Sequence, residues 1–136
     1  MKVFISHASR DKDLVRSIAN VLKESGMDVW DDTLEIYPGE NWAEKIAQAL
    51  EESQAMVVLL TPDAQISKWM EWEIEYALGK MAYNKRLIPV LIGDPQEFQK
   101  QNIPWIFRHL NMIYLPERGK NRESIKQIAK AIKEAA

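Results

Sequence analysis

Cysteine is missing altogether, which rules out disulfides, thiolate metal sites and cysteine nucleophiles. Histidine occurs only as His7 and His109, so a metal centre would have to be mostly carboxylate, and no acidic cluster has calcium-loop spacing. No metal is expected. Gly26, Gly39, Gly79, Gly93 and Gly119 stand far apart, whereas a phosphate-cradling loop needs clustered glycines so that backbone N–H groups can approach the anion. That removes the P-loop and dinucleotide fingerprints. The longest apolar run, Ala55 to Leu60, falls far short of the roughly 18 residues of a membrane span. The apolar stretch within MKVFISHASRDK is likewise too short for a signal peptide. Net charge is −2 with both signs interspersed, so no face invites nucleic acid or an anionic membrane. A cytoplasmic protein with neither as partner is the expectation.

What is present suits one domain over residues 1–136: 46% of the residues are hydrophobic and 28% charged, and a chain of this length buries roughly two thirds of its unfolded surface. Five short runs read as strands: Lys2 to Ser6, Met27 to Trp30, Ala55 to Leu60, Arg86 to Ile92 and Met112 to Leu115. AMVVLL lacks alternation, as a strand covered on both faces should. Pro89 inside RLIPVLI argues for an edge position or a bulge. Between the runs, Leu14, Ile18, Ala19 and Leu22 repeat at helical spacing, with Ser9 as cap, Asp11 and Asp13 in the first turn and Gly26 past the end. Asn41 and Glu44 make a capping box for Trp42 to Glu52, whose Ile46, Ala47 and Leu50 share a face. Ser67 caps a helix through Leu78, and Ile125, Ile128, Ala129 and Ile132 mark a terminal one. The stretch from Asp94 to Asn111 has room for one short helix.

Alternating strands and helices imply an α/β doubly wound, flavodoxin-like fold: a five-stranded parallel sheet in the order 2-1-3-4-5 with helices on both faces. Ligands of such sheets bind beyond the carboxyl ends of the strands, at the switch point between strands 1 and 3. SHAS (6 to 9) and TPDAQ (61 to 65) would flank that crevice. A phosphoacceptor receiver domain needs an acidic pair after strand 1 and an Asp ending strand 3; FISHAS and VVLLT offer neither.

On the helix after strand 3, about 100° per residue groups Met70, Ile74, Ala77, Leu78 and Met81 as the core stripe. Trp69, Glu73, Tyr76 and Lys80 line one edge of it, and Trp72 points away. Trp69 has a plainer reading as a boundary aromatic and Glu73 as a solvated flank residue. Glu73 nevertheless lies four residues after Trp69 and beside the expected crevice. An aromatic plate and a carboxylate on one ridge suit a flat ring attached to a sugar.

FISHASRDKDL, WDDTLEIYPGENW, VVLLTPDAQISKWMEWEIEYAL and IPVLIG together resemble a Toll/interleukin-1 receptor (TIR) domain of the bacterial type over nearly the whole chain. The most specific parts are Ser67, Trp69 and Glu73 in a Ser-x-Trp-x-x-x-Glu run, and the Pro38-Gly39 pair. The resemblance implies cleavage of the nicotinamide N-glycosidic bond of NAD+ in bacterial defence or signalling, with Glu73 catalytic and NAD+ as substrate, no cofactor being needed. It places Ser6, His7, Ala8 and Ser9 at the nucleotide and Trp30 and Asp31 at the entrance of the second loop, with Arg10 near enough to replace the arginines that animal relatives often carry after strand 1. For His7, closing a strand-to-helix turn is the plainer role. The rival implication is a non-catalytic scaffold that binds other TIR domains. A nucleoside deoxyribosyltransferase-like enzyme, with Glu as covalent nucleophile, is a third reading.

Leu34, Ile36 and Tyr37 are apolar residues of a loop with nothing to bury them, and the outward Trp72 is a similar anomaly. The plain account folds the loop back on its own domain. Because related domains associate through this loop, and because Pro38-Gly39 is a pivot, the resemblance makes these residues an interface between copies.

Overall fold

Runs of β-branched and aliphatic residues become strands where the chain can cover both faces, and helices of matching amphipathic period supply the cover. The computed structural model describes residues 1–8, 11–30, 42–62, 68–79, 87–93, 98, 107, 110, 112–115 and 122–134, with the side chains at 42, 43, 68 and 69 outside that description. The described elements are β1 (Lys2–Ser6), α1 (Lys12–Glu24), β2 (Asp28–Trp30), α2 (Trp42–Glu52), β3 (Ala55–Leu60), α3 (Lys68–Gly79), β4 (Leu87–Ile92), β5 (Ile113–Leu115) and α4 (Arg122–Glu134). The strands form one parallel sheet in the order β2-β1-β3-β4-β5, as the alternation of elements predicts. Among the described residues, no helix is long and apolar enough to cross a membrane.

The pleat sorts side chains between two cores. Val3, Ile5, Val57, Leu59, Ile88, Val90 and Ile92 meet α1 and α4 through Val15, Ile18, Leu22, Ile125, Ile128 and Ile132. Phe4, Met56, Val58, Leu60, Leu87 and Leu91 meet α2 and α3 through Ile46, Ala49, Leu50, Met70, Ile74 and Ala77. All six residues of β3 are buried. Within the helices, the contact face differs from the expectation at two points. Val15 is fully buried where Leu14 is only partly so, and Ala49 is buried in α2 while Ala47 is exposed.

Three local expectations change for identifiable reasons. The N-cap of α1 is Asp11, two residues after the predicted Ser9. Met27 stands outside β2 because its N–H is taken by the carbonyl of Leu22 (3.1 Å), while that of Gly26 goes to Lys23 (3.0 Å). Gly26 at φ 90° is thus the left-handed residue of a Schellman ending, with buried Met27 as its apolar partner. Pro89, finally, lies on an interior strand without a described bulge. The N–H of Gly93 points to β5, donating to Leu115 (2.9 Å), and residues two apart face the same neighbour. The missing donor of Pro89 therefore faces the β5 side, one residue before pairing starts at Val90 and Ile113. Proline sits where the interior strand is locally an edge. Asn41, Ser67, Met81, Arg86 and most of 94–111 lie outside the described residues.

Gly93 closes β4 at φ 137°, and a Cβ there would stand 2.9 Å and 3.1 Å from the Pro62 ring carbons Cγ and Cδ. Gly93→Ala combines backbone strain with a contact against a stiff ring, so urea unfolding should show a loss of about 2–3 kcal/mol. A loss under about 0.5 kcal/mol would mean that this turn relaxes freely.

Candidate active site

β1 ends at Ser6, and pleat parity with Phe4 sends its side chain toward α2 and α3. On α3, Met70, Glu73, Ile74 and Ala77 are 1%, 5%, 6% and 2% exposed. The Ser6 hydroxyl donates to Glu73 Oε1 at 2.6 Å, joining positions 67 residues apart at the carboxyl end of the sheet. That is the ordinary distance for a hydroxyl on a carboxylate. The expected stripe is therefore rotated: Glu73 belongs to the buried face, and Leu78, assigned to the core, is 49% exposed. The reason is the neighbour each meets. A carboxylate survives burial where a donor is waiting.

The other wall of the switch point is tied just as directly. Thr61, the residue after β3, donates its hydroxyl to both carboxylate oxygens of Asp11 (3.3 and 3.2 Å). Asp11 is buried, and its N–H donates to the carbonyl of Ala8 (3.0 Å). His7 Nδ1 lies 2.8 Å from the same carbonyl. A carbonyl only accepts, so Nδ1 carries the hydrogen. His7 is thus buried in the β1–α1 turn, in keeping with the turn-closing role, and Ala8 is half-buried against the α2 and α3 core. Sequence reasoning gave Asp11 only a helix-dipole role and missed its partner. The available signal was a threonine at the carboxyl end of the strand beside β1.

The remaining predicted residues divide. Trp30 is 6% exposed and its ring stacks on Phe4, centroids 5.0 Å apart and planes inclined by 14°. It is a core residue at the end of β2, and the second loop that follows it lies outside the described residues. Trp72 is 54% exposed, as its helix position predicts. Trp69 lies on α3 one turn before Glu73, its side chain outside the described set. Ser9, Arg10, Asp31, Leu34, Ile36, Tyr37, Pro38 and Gly39 also lie outside the described residues.

The family model of the TIR domain matches residues 3–135. The chain is a TIR domain. Among its relatives, a 2' cyclic ADP-D-ribose synthase of Bacteroides thetaiotaomicron is 34% identical over 89 residues, covering 64% of this chain and 31% of that protein. An NAD(+) hydrolase of a Theionarchaea archaeon is 32% identical over 97 residues, covering 70% and 30% respectively. The chain thus spans about a third of the length of these curated relatives. A solved metazoan TIR-STING receptor from C. gigas superposes with a TM-score of 0.72 at 24% identity, over 93% of this chain and 38% of that one. The TIR fold is shared at a distance where few side chains are.

Within this TIR domain the Thr61–Asp11 tie can be tested by stability alone. Thr61→Val leaves a buried carboxylate without its hydroxyl donor and should cost about 1–3 kcal/mol in urea unfolding. Adding Asp11→Ala to it should cost less than the sum of the two single losses. Strict additivity would show that the two side chains do not act as a pair.

Proposed function

We propose that this TIR domain cleaves the nicotinamide N-glycosidic bond of NAD+, with Glu73 as the catalytic residue. The observation that carries the reading is a buried, hydroxyl-held carboxylate at the carboxyl end of β1, beside the β1–β3 switch point. The names of the relatives, a cyclic ADP-ribose synthase and an NAD(+) hydrolase, support the substrate.

The chemistry suits one carboxylate. Most glycosidases use two, one of them to protonate a poor leaving group. Nicotinamide leaves a cationic pyridinium as a neutral molecule, taking the electron pair of the C–N bond with it, so no acid is required. Positive charge develops on the ribose, and a carboxylate in a dry setting stabilises it far better than one in water. Water capturing that carbon gives ADP-ribose and a proton. A nucleophile within the same molecule gives a cyclic product, and a second base gives exchange. In this reading Trp69, four residues before Glu73 in the sequence, stacks on the leaving ring, and Ser9, Arg10 and Asp31 contact the rest of the nucleotide. The reaction uses NAD+ as substrate and needs no further cofactor. The setting is cytoplasmic bacterial signalling or defence, without nucleic acid or membrane as partner.

Assembly belongs to the same proposal. Trp72 exposes 54% of its surface on the side of α3 away from the core, an unusual place for the largest side chain. Together with Leu34, Ile36 and Tyr37 around Pro38-Gly39, it forms the surface by which copies of the domain associate and complete the site. The same feature is the one that favours the second reading, a scaffold that only binds other TIR domains.

Purified protein incubated with NAD+ at rising protein concentration separates the two. Nicotinamide release should rise more steeply than linearly with protein, Ile36→Asp should suppress it in a folded monomer, and Glu73→Gln should lower turnover at least about 100-fold. A Glu73→Gln variant keeping about a tenth of the activity would remove the residue from catalysis. No nicotinamide at any concentration, with self-association intact, would select the scaffold.

A further inference from the structure

Resting on the NAD-cleaving reading, we infer that Ser6 is a positioning residue that holds the Glu73 carboxylate in its working orientation, and not a contact to the nucleotide. A hydroxyl has one hydrogen to give. That of Ser6 goes to Glu73 Oε1 at 2.6 Å, and Ser6 is 1% exposed. Ser6 cannot donate to a substrate without releasing the glutamate.

Where the donor is mounted matters as much as the bond. Ser6 is the last residue of an interior strand, between β2 and β3, and pairs with Val58. It moves with the sheet, unlike a loop residue. Glu73 has several rotatable bonds, and its helix neighbours Met70, Ile74 and Ala77 pack into the apolar core and do not orient a carboxylate. A hydroxyl fixed on the sheet gives one carboxylate oxygen a defined direction. Misplacing a charged group by about 1 Å can cost a hundredfold in rate.

Steady-state kinetics on Ser6→Ala and Ser6→Cys test the assignment, the cysteine keeping the volume should the alanine variant not fold. A folded Ser6→Ala should lose about 10- to 100-fold in kcat with KM within about twofold, and Ser6→Cys, a weak donor, should fall between it and wild type. A raised KM with kcat intact would overturn the proposal and return the hydroxyl to the substrate. Unchanged kcat and KM would overturn it in favour of a purely structural bond.

A second arm does not depend on activity. Urea unfolding of wild type, Ser6→Ala, Glu73→Gln and the double variant should show effects on the unfolding constant that miss multiplicativity by about fivefold or more. Strictly multiplicative effects would overturn the proposal whatever the kinetics. A wild-type chain that releases no nicotinamide overturns the NAD reading alone, and the urea cycle then decides whether Ser6 grips Glu73.

Discussion

A carboxylate cannot enter a dry protein face unless a donor is already there, and the whole carboxyl end of this sheet is arranged around that constraint. Glu73 comes from α3 and Ser6 from β1, so their meeting depends on the strand register: Phe4 opposite Trp30 and Ser6 opposite Val58. Slipping β1 by one residue would turn Ser6 toward α1 and α4 and present Ile5 to the glutamate. The stacked rings of Phe4 and Trp30 work against that slip, since they fix which residues of β1 face α2 and α3. Core packing and the polar site are therefore one structure.

The β1–α1 turn extends the same arrangement. Ala8 offers its carbonyl to the Asp11 N–H and to His7 Nδ1, and Asp11 in turn accepts from Thr61. The start of α1 is thereby tied to the end of β3 across the switch point. Elements tied in this way hold their polar groups in fixed positions, which is the condition under which dipoles and charges act most effectively on a neighbouring group.

Much of this was legible from residue order. The unbroken AMVVLL run, the helical spacing of Ile125, Ile128, Ala129 and Ile132, and Gly26 after a periodic segment each act locally, so pattern suffices to find them. The strand order followed from general rules of α/β connection. Glu73 was legible as a position on a helix but not as a buried group. Periodicity ranks side chains by hydrophobicity and placed Leu78 in the core, whereas Glu73 joins the buried face where it meets a serine 67 residues away in the chain. The burial of Trp30 was not legible, because an aromatic at the end of a short strand carries no mark of the ring that will stack on it. For Asp11 and Thr61 the signal is indirect: strand order sets a threonine at the end of β3 beside the turn after β1, and the contact itself appears only in the fold.

The placement of Pro89 reaches beyond the monomer's own sheet. β5 contributes only Ile113–Leu115, so among the described residues the leading half of β4 has a strand on one side only. Such a margin would ordinarily be a template on which a stray strand could extend the sheet. A backbone nitrogen without hydrogen at the middle of that margin denies the incoming strand one of its rungs. Extension of the sheet from one chain to another is thus disfavoured at this margin by a single residue.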